Sequence, residues 1–435
     1  MLVLPQYVAL GAPSVALPAV GRALAVPFGA TAWILTAWSL TSALAMPVAG
    51  RLVTRSGPFR VMVVGVVALA AGSALAAIGP TLPVVVVGRL LGGAGAGATV
   101  IAVFAAATAL PDRERGRALG TIAAAGATAS ACGTLVGGVV TSFLGWRAVL
   151  AIPVLALLVL PAASTSRRAA GGDAGEGDVP AGRLDVVGAA ALAVLAGSAI
   201  TVLQAHTVGL PAGPTLVVAG AGALAAGGLW WRIRRTPDGF APRRVIAAPG
   251  LPAAGLVGGA VFAGYYGVLF LAPSLLEQAT GGGALEAGAL LVPAAACSVL
   301  AGRLAGASTE RFAAWQVSAG LAALTAVGVL VVAVLPGPIP VVAGAALTVC
   351  GFAGAQAVLV GLAPHLVAPA DRDTAQGLLN FMIFLGGGIG PAAVAGLSGL
   401  LPLPVALAVL AALPLAGLVL GLTRRPGADQ ADAHR

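Results

Sequence analysis

The chain consists of long apolar runs, each of about 20 residues, separated by short segments that carry most of its arginines. An α-helix of about 20 apolar residues is long enough to span the hydrocarbon core of a bilayer. The strands of a membrane barrel would instead alternate apolar and polar residues in units of about ten. The runs show no such alternation, so they predict an all-α integral membrane protein.

The composition agrees with this prediction. Only 9% of the 435 residues are charged and 59% are hydrophobic, whereas a soluble domain carries about 25% charged residues. So few charges cannot cover a water-facing surface, and we expect most of the surface to contact membrane lipid. The three cysteines lie inside apolar runs without metal-ligand spacing, so no metal or other cofactor is predicted. Met1 leads directly into apolar sequence, and no cleavable signal peptide is predicted.

The apolar runs predict fourteen transmembrane helices. Their approximate bounds are 2–20, 30–50, 61–79, 82–108, 119–143, 147–163, 185–206, 212–232, 250–276, 284–305, 314–335, 339–363, 374–397 and 402–422.

The arginines predict the orientation of these spans. All 23 basic residues are arginine, and with both termini inside the cell 20 of them fall in inner loops or the tail. Arg22 and Arg147 fall outside, and Arg89 lies within the fourth span. This asymmetry follows the positive-inside rule and fits an even number of spans. The net charge of +9 is therefore a topology signal, and we expect no nucleic-acid partner. The arginine, alanine and glycine usage favours a high-GC bacterium, hence a multi-pass protein of the bacterial cell (inner) membrane with both termini cytoplasmic.

Two longer inner segments suggest a domain plan. Residues 164–184 and 232–248 bracket spans seven and eight, which gives a 6+2+6 arrangement. The tetrapeptide at Ala49–Leu52 recurs at Ala301–Leu304, after the second span of each set of six. Internal repeats of this kind build many transporters. The predicted units are an N-terminal six-helix bundle (1–163), linkers with two extra helices (164–248), a C-terminal six-helix bundle (249–423) and a cytoplasmic tail (424–435).

Several motifs occur in an order known from one transporter family. Gly50, Arg55, Gly57 and Arg60 follow the second span and resemble the cytoplasmic loop signature of the major facilitator superfamily. Further segments resemble the fourth-helix motif, the fifth-helix antiporter motif, with Gly133, Gly137 and Gly138, and three segments of the fourteen-helix drug:proton antiporter branch. These segments are 89–95, 133–138, 183–188, 275–293 and 377–380.

The resemblance implies a specific activity. Members of this branch place two six-helix bundles around a central cavity and export small hydrophobic drugs or antibiotics in exchange for protons. The chain is thus expected to be a monomeric transporter rather than an enzyme, with a small-molecule substrate, protons and membrane lipid as its partners. It departs from the family pattern where Thr54, Thr134 and Ala9 replace a loop Asp, a Pro and a helix-one Asp, and where Ile383 replaces an Arg.

Ionisable residues inside a membrane are costly and usually functional. Arg89 is the one charge placed deep in a span, so it is a candidate for coupling, with a structural anchor as the alternative. Glu277 and Glu286 are the two acids on the predicted outer side. Each is a candidate proton carrier, because shielding at a helix end raises the pKa of a carboxyl. The alternative is that each only terminates a helix.

A drug cavity needs apolar and aromatic surface with a few polar groups. The alternative for Trp33 is an interfacial anchor, and the alternative for the amides is that they tie helices together. The candidates are Trp33, Trp38, Tyr265 and Tyr266, with the mid-span amides Gln6, Gln356 and Asn380.

Two other functions stay open at this point. Loss of the acids at Ala9 and Thr54 suits a proton-independent facilitator or uniporter. A membrane enzyme or sensor is the remote alternative, since no paired acids, histidine cluster or Ser/Lys dyad appears inside a span.

Overall fold

The computed structural model describes residues 4–108, 110, 114, 129, 132–160, 185–235, 243–248, 250–368 and 371–424. These residues are helical almost throughout, and no strand occurs among them, which confirms the all-α prediction. The predicted linker at 164–184 and nearly all of the tail lie outside the described residues. Outer and inner ends of helices are named below by the orientation that the arginines predict.

Fifteen helices are used in the description. They are α1 (Leu4–Leu24), α2 (Phe28–Ile78), α3 (Leu82–Thr108), α4 (Cys132–Leu144), α5 (Trp146–Ala151), α6 (Val186–Leu203), α7 (Ala212–Arg235), α8 (Arg243–Ile246), α9 (Gly250–Thr280), α10 (Ala284–Leu290), α11 (Val292–Ser308), α12 (Ala314–Val334), α13 (Pro338–Leu362), α14 (Arg372–Ser398) and α15 (Leu403–Thr423). Short 3-10 segments continue α5 to Val159 and follow α6 and α13.

Many of these helices are long and apolar enough to cross a membrane. Within the described ranges nine meet that criterion, with α10 and α11 counted as one, and three shorter apolar helices accompany them. One of the nine, α2, contains two predicted spans that meet at Gly57, where φ is +77°. A glycine adopts this conformation without the steric penalty that a Cβ brings. The total of fourteen spans stays a prediction, as do the proposed domain bounds.

Glycines allow the helices of the first half to approach closely. A methyl group built on Gly72 of α2 would overlap the backbone nitrogen of Gly92 in α3, and one on Gly95 would overlap that of Leu69. Close backbone approach is a main source of helix association in membranes, because lipid tails are as apolar as the side chains. The glycine-rich stretch of α3 is therefore a packing surface.

The helices form two groups that meet along one long contact. In the first group α2 packs along α3, and α1 and α5 pack on α2. In the second, α9 packs against α13, α14 and α15, while α12 packs between α13 and α15. The groups meet where α14 lies along α2 and where α1 contacts α9. The extra helices α6 and α7 pair with each other, and α6 also contacts both α2 and α14, so it covers the contact line between the halves.

Candidate transport pathway between the two halves

Arg89 ties three helices together in the interior. Its side chain, on α3, is 1% exposed. Its Nε donates to the carbonyl oxygen of Ile34 at 3.0 Å, and its Nη2 donates to that of Ala9 at 3.2 Å. The guanidinium carbon lies 4.0 Å from the ring centroid of Trp38. Carbonyl dipoles and the π face of an indole both stabilise a cation, so this fixed charge is held without a carboxylate partner among the described residues.

Ala9 gives this arginine a backbone carbonyl oxygen as a partner, where the resembled branch often has an acidic residue. Trp38 supplies the second substitute partner, and it is almost completely buried. A methyl group on Gly92 would come within 2.9 Å of the Trp38 ring. The glycines of α3 thus make room for the indole beneath Arg89.

Trp33 lies in different surroundings from Trp38, although both are on α2 and both were predicted as cavity residues. It packs on a small apolar cluster in which Leu40 of α2, Ile200 of α6 and Ala392 of α14 meet. Its indole Nε1 is buried without a hydrogen-bond partner. Trp33 therefore faces the seam between the halves and the extra helix.

Tyr265 and Tyr266 belong to an aromatic cluster in the second half. The ring of Phe352 on α13 lies 4.4 Å from that of Tyr265 and 4.5 Å from that of Phe262, measured between centroids. The ring of Phe384 on α14 lies 5.8 Å from that of Phe262. Separations of this size are favourable for aromatic pairs. The three phenylalanines were not predicted as site residues, because nothing in the sequence indicates that α9, α13 and α14 converge.

The three predicted amides lie on three different helices. Asn380 on α14 is buried, and its Nδ2 donates to the carbonyl oxygen of Gln376 at 2.9 Å, one turn earlier in the same helix. Gln356 on α13 is half-buried. Gln6 lies in α1, but its side chain is outside the described ones. The described amides are thus placed on two helices of the second half.

An ion pair joins the two halves at their outer ends. Nη1 of Arg22, at the end of α1, lies 3.5 Å from Oε2 of Glu277, near the end of α9. The side chain of Glu277 is 12% exposed and that of Arg22 is 70% exposed, and Oε1 of Glu277 is buried without a partner. The rings of Phe28, at the start of α2, and Phe270 of α9 also stack, with centroids 4.9 Å apart. The outer ends of α1, α2 and α9 are thereby held together by charge and by apolar contact.

The sequence alone did not bring Arg22 and Glu277 together. Arg22 was recognised only as one of two outer arginines, and 255 residues separate it from its partner. The signal available was opposite charge at the outer ends of corresponding spans in the two halves. Glu286, the other outer acid, is exposed in the first turn of α10, a position where an acid suits the helix dipole.

The glycines of the fifth-helix motif lie at the junction of the halves. A methyl group on Gly137 of α4 would overlap the carbonyl oxygen of Ala12 in α1, and one on Gly133 would lie 3.4 Å from Cα of Gly11. Gly138 faces the other way, since a methyl group there would lie 2.6 Å from the carbonyl oxygen of Ala284 in α10. The motif thus packs α4 against both halves at once.

The predicted loop signature lies around the break in α2. Gly50 has open space about it, and Gly57 has the positive φ that divides the helix. Thr54, which stands where the family often has an acid, is exposed and donates to the carbonyl oxygen of Arg51 at 2.8 Å. Arg55 and Arg60 are exposed. These residues lie at the predicted inner surface.

Gln204 is a buried polar residue between the halves that sequence reasoning missed. It follows α6 and is fully buried, yet its Oε1 and Nε2 have no hydrogen-bond partner. A methyl group on Gly396 of α14 would lie 3.8 Å from Cα of Gln204. A buried amide without partners costs about 1–3 kcal/mol. It lies where the extra helix meets the contact between the halves.

Comparison of the sequence with known proteins identifies the family of the chain. The sequence profile described as Major Facilitator Superfamily matches residues 2–391. The methylenomycin A resistance protein of Streptomyces coelicolor is 29% identical over 60% of this chain and 54% of its own length. The puromycin resistance protein of Streptomyces alboniger is 30% identical over the same two shares. A Mycobacterium tuberculosis protein named as an uncharacterized MFS-type transporter is 35% identical over 31% of this chain.

The chain spans about half the length of the two Streptomyces relatives and a fifth of the mycobacterial one. The crystal structure of an auto-inhibited POT family peptide transporter superposes over 99% of this chain and 98% of its own, with a TM-score of 0.65 and 17% identity. At that identity the likeness supports the fold alone. With the profile covering most of its length, the chain belongs to the Major Facilitator Superfamily.

Proposed function

We propose that this transporter exports a small hydrophobic drug or antibiotic in exchange for protons, by alternating access. The observation that carries the proposal is the Arg22–Glu277 ion pair, which connects the halves at their outer ends. An exchanger needs a group whose protonation is linked to the opening of one side. A carboxylate that holds the halves together by its charge has this property, because protonation removes the charge.

The ion pair biases the equilibrium between states rather than locking one of them. An exposed ion pair contributes about 1 kcal/mol or less, and Arg22 is largely exposed. That free energy corresponds to about a fivefold change in the ratio of two states. A proton arriving at Glu277 from outside weakens the tie, the outer ends separate, and the cavity releases its substrate. The halves then return with Glu277 still protonated, the proton leaves through the inward-open cavity to the cytoplasm, and the ion pair re-forms at the closed outer ends.

The aromatic cluster is the proposed wall of the substrate cavity. Tyr265 and Tyr266, with the phenylalanines that surround them, present ring surface from α9, α13 and α14. Apolar and aromatic surface with few polar groups suits ring-bearing hydrophobic molecules. The relatives named for resistance to methylenomycin A and puromycin support antibiotics as the substrate class. Arg89 is the proposed coupling cation, since its buried positive charge attracts anionic groups and repels cationic ones in the cavity.

One observation favours a second candidate, a proton-independent facilitator. Arg89 faces the backbone of Ala9 where the family often has an acid, so the interior of the first half lacks a described proton acceptor. The facilitator binds no proton, whereas for the antiporter Glu277 is the proposed proton carrier among the described residues. In both cases the proposed setting is the bacterial inner membrane, with both termini cytoplasmic and the protein a monomer.

A transport assay in proteoliposomes distinguishes the antiporter from the facilitator. The full chain is reconstituted with puromycin and methylenomycin A as probes, and uptake is measured with an imposed pH gradient and after a protonophore. Antiport predicts accumulation that the protonophore abolishes. Glu277→Gln should lose accumulation but keep exchange of labelled for unlabelled probe, because the cavity is intact. Glu286→Gln, which removes the neighbouring outer acid, is the matched control and should behave as wild type.

Accumulation at full rate with the gradient collapsed would overturn proton antiport and establish the facilitator. Gradient-driven accumulation by Glu277→Gln would leave the antiporter standing but remove the outer ion pair from its coupling. Transport of neither probe, in protein shown to be folded, would overturn the proposed substrate class.

A further inference from the structure

We infer that the inner end of α7 is a binding site for the phosphate of an anionic phospholipid. Two arginines in the last turn of α7 each lie over a tryptophan one turn earlier. The guanidinium carbon of Arg234 is 4.4 Å from the ring centroid of Trp230, and that of Arg235 is 4.4 Å from the ring centroid of Trp231. All four side chains are exposed.

The surroundings of α7 place this pair of stacks against lipid. Among the described parts of the chain α7 packs mainly on α6, and only Gly222 of the helix is buried. Its long apolar stretch must therefore lie in the hydrocarbon, with Trp230 and Trp231 at its end. Tryptophan prefers the headgroup level of a bilayer, where one part of the ring contacts apolar chains and the other contacts polar groups.

A neighbouring contact fixes the rotation of this last turn. Asp185, which caps α6, accepts from the backbone nitrogen of Gly188 at 2.8 Å and from Nε of Arg232 at 2.6 Å. This carboxylate joins the inner ends of α6 and α7. Arg232 is thus paired with Asp185 of α6, while the stacked side chains of the same turn are exposed.

The chemistry of the stacked arginines favours phosphate. Arginine packs on aromatic rings through the flat face of its guanidinium, so the N–H donors at the edge stay available for a bidentate acceptor. A phosphate oxygen pair fits that edge. No carboxylate in the described part of the chain pairs with Arg234 or Arg235. At the level of the headgroups, the abundant phosphate is that of the lipid, and anionic lipids add a net negative charge that zwitterionic lipids lack.

The expected strength follows from the charges. A basic residue near an anionic membrane surface contributes about 1 kcal/mol, so two of them correspond to roughly a 25-fold change in affinity. The 25-fold change is expected only for the lipid site with the highest affinity. Elsewhere on the protein we expect phosphatidylglycerol and phosphatidylcholine to bind alike.

The test is a lipid titration of the full chain followed by native mass spectrometry. Phosphatidylglycerol is the probe, phosphatidylcholine the zwitterionic comparison and inorganic phosphate the soluble competitor. The double variant Arg234→Gln/Arg235→Gln should weaken the tightest phosphatidylglycerol site by about 25-fold and leave phosphatidylcholine unchanged. Arg303→Gln/Arg311→Gln is the matched control, because it removes the same charge from another predicted inner segment without a stacked ring. It should stay within about twofold of wild type.

A second variant tests the stacking itself. Trp230→Leu/Trp231→Leu keeps both charges but removes the surfaces that orient them, and it should weaken phosphatidylglycerol binding as well. Equal losses in the arginine variant and its control would overturn the inference, because they would show a diffuse charge effect without a site. Unchanged binding in the tryptophan variant would overturn the stacked geometry. Displacement by inorganic phosphate at concentrations equal to the lipid would overturn the lipid as the ligand.

Discussion

Replacing Arg89 by methionine separates a transport role from a packing role. Methionine keeps most of the side-chain volume and removes the charge. Two hydrogen bonds from a charged donor contribute about 1.5–3 kcal/mol each, and a desolvated cation–π contact contributes about 2 kcal/mol. The lost contacts therefore sum to about 5–8 kcal/mol. Burying the guanidinium costs several kcal/mol that the variant no longer incurs.

These opposing quantities nearly cancel, so we expect Arg89→Met to change the free energy of unfolding by less than about 3 kcal/mol. Its efflux, by contrast, should fall to the background of empty liposomes, because the fixed charge has gone. Arg89→Lys keeps the charge but loses the planar group that contacts both carbonyls and the Trp38 ring. We expect it to retain less than about a tenth of the wild-type efflux.

The assay is puromycin efflux in proteoliposomes, normalised to protein that elutes as a single species and unfolds cooperatively. Arg147→Met is the matched control. Arg147 also lies over a tryptophan, 4.3 Å from the ring centroid of Trp146, and its Nη2 is 3.4 Å from the carbonyl oxygen of Gly79, but it is exposed at the outer surface. Wild-type efflux by Arg89→Met would refute the coupling role and leave a structural anchor. Failure of Arg89→Met to fold would refute the energy balance.

Two further predictions concern the stability of the purified protein, followed by its thermal unfolding midpoint in detergent. Gly72→Ala and Gly95→Ala should each lower the midpoint strongly, because the added methyl group overlaps the facing backbone. Gly50→Ala is the control: it has open space around it and should leave the midpoint unchanged or raise it slightly. Equal effects at the three positions would contradict close packing of α2 on α3. Gln204→Leu should raise stability by about 1–3 kcal/mol, because it removes a buried amide that lacks partners, and a lowered midpoint would show that the amide is satisfied after all.

Some features of this protein follow from the sequence because they depend on one segment at a time. A run of 20 apolar residues must become a helix in a bilayer, whatever its neighbours are, because its backbone has no other source of hydrogen bonds. The arrangement into helices, the membrane location and the family motifs were therefore predictable. The break of α2 at Gly57 was predictable too, since the residue lies in a glycine- and arginine-bearing loop motif.

The candidate site depends on which helices meet, and in an apolar environment the sequence pattern says little about that. Nearly every face of these helices is apolar, so no stripe marks the side that packs against protein. Arg89 was recognisable from its burial in a span, but its carbonyl and indole partners come from α1 and α2. Trp33, predicted as a cavity residue, lies on the seam with α6.

The outer ion pair shows most clearly which features the sequence predicts and which depend on helix packing. Glu277 was identified by its side of the membrane alone, since that depends only on counting spans. Its pairing with Arg22, 255 residues away, depends on how the two halves dock, and so does the burial of its carboxylate. The sequence by itself thus determined which segments form apolar helices long enough to enter the membrane, and it predicted on which side each of them ends. Only the tertiary structure decided which charges touch, because contacts between helices arise from close packing and not from the hydrophobicity of any one segment.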